Sequence, residues 1–137
     1  MRLTAFTDYA LRMLMRMASA PERAFSTAEL AAEFQLSRNH LAKIMQRLAR
    51  AGFVETRRGG GGGAVLACPA AEIRLGALVA LLEEEQPLVE CFGPASGCTI
   101  DGRCGLKTRL RAAEAAFIFE LEQSTLADIA LPAERDG

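Results

Sequence analysis

Three thiols stand within fourteen residues, Cys91-Phe-Gly-Pro-Ala-Ser-Gly-Cys98-Thr-Ile-Asp-Gly-Arg-Cys104. Thiolates are soft ligands that suit iron–sulfur clusters, zinc or copper(I), and the glycine-containing backbone between them can wrap a metal centre. The gaps of six and five residues are wider than the two-residue gaps of a structural zinc knuckle, which lowers the zinc reading. Three thiolates leave one position of a four-coordinate site open. Cys68, Glu90, Asp101, His40 and Asp8 are the candidates to fill it, and spacing does not choose among them. Cys68 follows an apolar run and reads as a small buried hydrophobe, His40 suits a DNA-facing surface, and Asp8 looks like an ordinary helix-start acid. With no two-residue cysteine pair, a thiol redox enzyme is disfavoured.

A second chemistry lies upstream. Arg38, Asn39, His40, Lys43, Gln46, Arg47 and Arg50 share a helix with Leu41, Ile44, Met45 and Leu48, and the apolar set recurs at helical spacing on the opposite side. Cationic and amide groups on one helix face reach phosphates and base edges together. Charge agrees: residues 1–67 hold ten Lys/Arg against five Asp/Glu, and residues 68–137 hold six against twelve. A basic front half on an acidic back half is expected where one part meets an anionic polymer. Asp8, Arg12 and Arg16 interrupt the apolar opening of the chain too often for an export or membrane segment, so the expected location is the cytoplasm. There, clustered cysteines favour metal over disulfides.

The elements that must position these groups follow from local signals. Phe6, Ala10, Met13 and Met17 mark a first amphipathic helix over residues 4–19. Ser26 and Glu29 form a capping pair for a short second helix, and a turn through Gln35 and Leu36 leads to Ser37, the cap of a third helix over residues 38–50 that Gly52 stops. Two short helices with a tight turn describe a helix-turn-helix. Residues 53–56 and 64–67 are short apolar runs on either side of Arg57-Arg58 and five glycines, Gly59 to Gly63. They read as a hairpin with a basic, bare tip suited to a phosphate backbone or minor groove. A glycine-rich nucleotide loop does not fit, because the run joins two strands.

Ile73, Leu75, Leu78, Val79 and Leu82 predict a fourth helix, ended by Glu83-Glu84-Glu85, which read as a solvated face. A long helix follows over residues 105–123, with Leu106, Leu110, Ala113, Phe117 and Leu121 along one side, and then a short one over residues 125–130. A helix so long and apolar in a small chain needs a partner, so a symmetric homodimer is predicted. The fold class is therefore mainly α with a small β-hairpin wing. It is a winged helix-turn-helix over residues 1–67, with a cluster-binding loop and dimerisation helix over residues 68–137. No catalytic constellation is present, and the chain reads as a regulator, not an enzyme.

Met1-Arg2-Leu3-Thr4 with Asp8-Tyr9-Ala10, Arg58-Gly59-x-x-Gly62-Gly63-x-x-Leu66, the three cysteines and Thr125-Leu126-Ala127-Asp128 together resemble the dimeric iron–sulfur winged-helix repressors. Phe6 to Arg12, Ser37 to Leu41 and Val89 to Phe92 look most like the nitric-oxide-sensing branch. The resemblance covers nearly the whole chain. It implies a cluster, 4Fe-4S in preference to 2Fe-2S, held by Cys91, Cys98 and Cys104 and by Asp8 from the other subunit. It also implies repression of a pseudo-palindromic operator on double-stranded DNA, lifted by nitric oxide. The DNA-reading set is Ser37, Arg38, Asn39, His40, Lys43, Arg47, Arg58 and Gly62. Asn39, His40 and Lys43 are expected on base edges, and Arg38, Arg47 and Arg58 on phosphates or the minor groove. The alternatives are a relative that senses iron or cluster supply, and a zinc-stabilised winged-helix module.

Overall fold

The computed structural model describes residues 2–58, 62–85, 88, 97, 99–100 and 102–132. Helix α1, Ala5–Ala18, starts where the Thr4 hydroxyl accepts the Thr7 N–H at 3.2 Å. It buries Ala10, Met13, Leu14 and Met17. Arg16, a polar interruption in the sequence, is itself buried: its Nε donates to Glu33 at 2.9 Å and its guanidinium lies 4.8 Å from the Phe25 ring centroid. That contact fastens α1 to α2, Thr27–Phe34, whose start carries the expected reciprocal Ser26–Glu29 cap. The turn into α3, Arg38–Arg50, is made by Gln35 in the left-handed region at φ 57°, with the Leu36 N–H on the Ala31 carbonyl at 2.9 Å.

Strands β1, Val54–Arg57, and β2, Gly63–Leu66, pair antiparallel with Val54 opposite Leu66 and Arg57 opposite Gly63. Both differ by one residue from the sequence expectation. The Phe53 N–H is taken by the Leu48 carbonyl at 3.0 Å, closing the end of α3, so the ladder begins one residue later. Phe25 forms an isolated antiparallel bridge to β2 from outside the hairpin, exchanging two hydrogen bonds of 2.9 and 2.8 Å with Ala64. The wing is thereby pinned to the segment between α1 and α2.

Helix α4, Leu75–Leu82, drives Leu75, Leu78 and Leu82 into the same core as α1, α2 and α3. Helix α5, Gly105–Glu122, crosses it at Gly76, where a side chain would meet the Ile118 carbonyl at 2.6 Å. The Glu122 carboxylate accepts the Ala77 N–H at 2.6 Å, an acid on the positive end of α4. Leu75 and Leu126 donate to the Ser124 and Ile73 carbonyls at 3.0 and 2.8 Å, and the 3₁₀ turn Leu126–Ile129 carries the Thr125–Asp128 capping box. No residue of α5 is buried, and Leu106 and Phe119 are 63% and 68% exposed. Among the described residues no helix is long and apolar enough to cross a membrane.

Candidate functional site

Leu41, Ile44, Met45 and Leu48 hold one side of α3 in the core. Asn39, Lys43, Gln46 and Arg50 stand four, three and four residues apart on the opposite side, all exposed. That spacing stacks four side chains on one helix face, and an exposed row of amides and cations is what a major groove admits. Ser37, Arg38 and Asn39 are exposed at the helix start, where the Ser37 hydroxyl accepts the His40 N–H at 3.3 Å. Unpaired amides and the dipole at such an end favour a phosphate. On the wing, Arg57 and Arg58 are exposed, while Gly62 and Gly63 are half-buried.

Two members of the expected DNA-reading set flank this face and do not share it. His40 packs edge-on to Tyr9 with ring centroids 5.3 Å apart, and lies 6.2 Å from Phe6, both on α1. Arg47 pairs with Glu84 beyond the end of α4 and donates to the Leu81 carbonyl at 3.4 Å. Gln46 and Arg50, left out of the set, complete the exposed row in their place. Their angular position, opposite the centre of the apolar stripe, was the signal for them.

Asp8 sits in the first turn of α1, half exposed, with both carboxylate oxygens on Arg12 of the next turn, at 3.1 Å to Nε and 3.0 Å to Nη2. The Arg12 guanidinium in turn lies 5.4 Å from the Tyr9 ring centroid. Cys104 occupies the position just ahead of α5, half-buried, with no side-chain cap hydrogen bond. It lines a cleft of about 370 Å³ with Gly102, Arg103, Gly105, Lys107 and Thr108. Cys91 and Cys98 lie outside the described residues, as do Glu90, Asp101 and the glycines 59–61 of the wing tip. Among the described residues no three His, Cys, Asp or Glu side chains converge on one point. Cys68 packs against the core, and burial, followed by the Glu72 carboxylate, pushes its thiol up from its ordinary range.

Residues 3–131 match the family described as Rrf2, iron-dependent transcriptional regulator. The chain belongs to the Rrf2 family. It is a DNA-binding transcriptional regulator and not an enzyme, and regulators of this family are typically dimers. Among solved structures it is similar to the oxidized form of CymR from Staphylococcus aureus, 26% identical, covering 98% of this chain and 100% of that one with a TM-score of 0.71. CymR (YrzC), the global cysteine regulator of B. subtilis, is 23% identical over 95% of this chain and 96% of that one, TM-score 0.74. IscR of T. potens is 22% identical over 94% and 85%, TM-score 0.75. The latter two share its fold, the winged helix of Rrf2 regulators.

The expected division of tasks between the exposed row and the wing can be tested. Lys43→Ala is expected to reduce discrimination between operator and unrelated DNA by about 1–3 kcal/mol. Arg58→Ala is expected to weaken all sequences together and lower the salt slope by about one unit. Binding titrations of both variants across a salt series check this, and equal losses on every sequence would remove the distinction.

Proposed function

We propose that this Rrf2 regulator is a dimeric repressor, of the nitric-oxide-sensing NsrR type that its sequence resembles. In this reading its hold on DNA is released when nitric oxide reacts with an iron–sulfur cluster held by Cys91, Cys98 and Cys104 of one protomer and Asp8 of the partner subunit. The observation that carries it is an iron-dependent family match across residues 3–131 in a chain with three thiols inside fourteen residues. The chemistry at Cys104 fits: it is a soft sulfur donor just ahead of a helix start, lining an open cleft with Arg103 and Lys107 and making no cap bond that a cluster would have to break. A 4Fe-4S form is favoured and a 2Fe-2S form is the other possibility. When bound, the cluster supplies iron that nitric oxide attacks, and a hard carboxylate is its most replaceable ligand.

Residues 1–67 then read DNA and residues 68–137 sense and dimerise. Asp8 ties α1 of one protomer to the cysteine segment of its partner, which fixes the separation of the two α3 helices to successive major grooves, about 34–36 Å apart. Loss of that tie shifts the population toward forms that cannot span both half-sites. The regulated genes would be those of nitric oxide detoxification, as the resemblance implies.

Anaerobic purification with absorption and Mössbauer spectra, followed by nitric oxide titration against DNA retention, tests the reading. A coloured protein that leaves its operator as nitric oxide is added is expected. A colourless protein that holds DNA regardless would overturn it. The similarity to IscR favours one second reading, in which cluster supply is the signal. Release of DNA on iron depletion, with no response of the loaded protein to nitric oxide, would select it.

A further inference from the structure

Three glutamates, Glu83 to Glu85, follow directly on the last residue of α4. The carboxyl end of a helix carries partial negative charge, so acids there sit against the local field and need partners. Glu83 takes the backbone N–H of Thr4, the cap residue of α1, at 2.7 Å, and its Oε2 is buried and accepts no hydrogen bond among the described residues. Glu84 takes Arg47 of α3, whose Nη2 also reaches the Leu81 carbonyl at 3.4 Å. A guanidinium shared between a carboxylate and a last-turn carbonyl suits that helix end. The Arg47 side chain is only 28% exposed. With Thr4, Phe6, Arg50, Leu81, Leu82, Glu84 and Glu85 it lines a cleft of about 440 Å³, to one side of the row Asn39, Lys43, Gln46 and Arg50.

We infer that Arg47 is a positioning residue for DNA recognition, fixing the pose of α3 through Glu84 and the Leu81 carbonyl, and is not a phosphate ligand. Helix α3 is then anchored on the same flank at two heights, by His40 against Phe6 and Tyr9 near its start and by Arg47 against the end of α4. Two such anchors set the rotation of the helix about its own axis, and with it the direction of the exposed row. Base-edge hydrogen bonds weaken steeply with misalignment, so a small rotation lowers sequence-specific affinity without removing any group that touches DNA. Glu84 stands seven residues ahead of Cys91, so the anchor also links α3 to the segment that leads into the cysteines. The inference concerns DNA binding itself and does not rest on the nature of any cluster.

The test uses the full-length protein as isolated anaerobically and an operator selected by it from a random-sequence DNA pool. Arg47→Gln and Glu84→Gln are each expected to weaken operator binding about fivefold, with the double variant no weaker than either single. The salt slope should stay unchanged, and each variant should melt at the wild-type temperature. Arg47→Glu should weaken binding further, and adding Glu84→Arg to it should recover affinity. A fall in the salt slope of about one unit for Arg47→Gln, with Glu84→Gln binding as well as wild type, would make Arg47 a phosphate ligand and overturn the inference. So would unchanged affinity in both single variants, or a loss that only tracks the unfolded fraction.

Discussion

Gly63→Ala is expected to destabilise the protein by about 1–3 kcal/mol and to weaken its binding to operator and unrelated DNA alike. A Cβ at this position would lie 2.5 Å from the Phe25 carbonyl oxygen, 2.6 Å from its carbon and 3.0 Å from the Ser26 nitrogen. All three are backbone atoms, so none can swing aside as a side chain would. They are also committed: Phe25 exchanges hydrogen bonds with Ala64 on both sides, and Ser26 caps α2. The added methyl must therefore lift the wing from Phe25 or tilt the start of α2, and Arg57 and Arg58 move with the wing in the first case. Two other glycines isolate the cause. Gly52→Ala meets nothing within 4 Å but sits at φ 87°, so it carries only backbone strain, roughly 1–2 kcal/mol. Gly105→Ala meets nothing within 4 Å at a φ open to any residue, and as a helical residue it should gain up to about 1 kcal/mol. Urea denaturation of the three variants gives the comparison. A Gly63→Ala protein as stable as Gly105→Ala would mean the wing does not rest on Phe25.

The elements built from local signals were legible in the sequence. Helix α3 runs from the Ser37 cap to Gly52 because both ends are set within a few residues, and the Ser26–Glu29 cap formed as its spacing suggested. What escaped depends on neighbours far along the chain. The strands of the wing begin and end one residue away from the apolar runs, the first because the Phe53 N–H answers to Leu48, and Arg16 turned from a polar interruption into a buried link because Glu33 faces it across two helices. Seven polar residues on α3 looked like one face. His40 and Arg47 leave it because α1 and α4 pack against that flank, which periodicity cannot show. The acidic run after α4 looked like a solvated face, yet two of its carboxylates hold other helices, and its clue was electrostatic: acids at the wrong end of a helix dipole. Cys104 stands at the start of α5 as its position in the sequence suggested, and the choice of Asp8 over the other acids came from resemblance.

Asp8→Ala is expected to reduce the operator affinity of the cluster-loaded protein about tenfold or more, to the level of the wild type treated with nitric oxide, and to leave little further response to nitric oxide. The fold itself should barely register the change. The Asp8–Arg12 pair is an exposed i,i+4 contact, with side chains 48% and 47% accessible, and such pairs contribute under about 1 kcal/mol even with the helix-start charge included. A large loss of DNA binding therefore has to come from something Asp8 does outside its own helix. If that role is the cross-subunit tie, it exists only when the cluster is bound, and a thermodynamic cycle makes this measurable. Operator affinity is determined for wild type and Asp8→Ala, each loaded and stripped of iron. The two loaded proteins should differ by the full coupling and the two stripped proteins should agree. Arg12→Ala supplies the control, since it removes the same intrahelical pair while leaving the carboxylate in place, and it should keep the nitric oxide response that Asp8→Ala loses. Stripped proteins that differ as much as the loaded ones would show Asp8 acting through Arg12 and the neighbouring Tyr9–His40 contact on α3, and the tie between subunits would have to be sought in another residue.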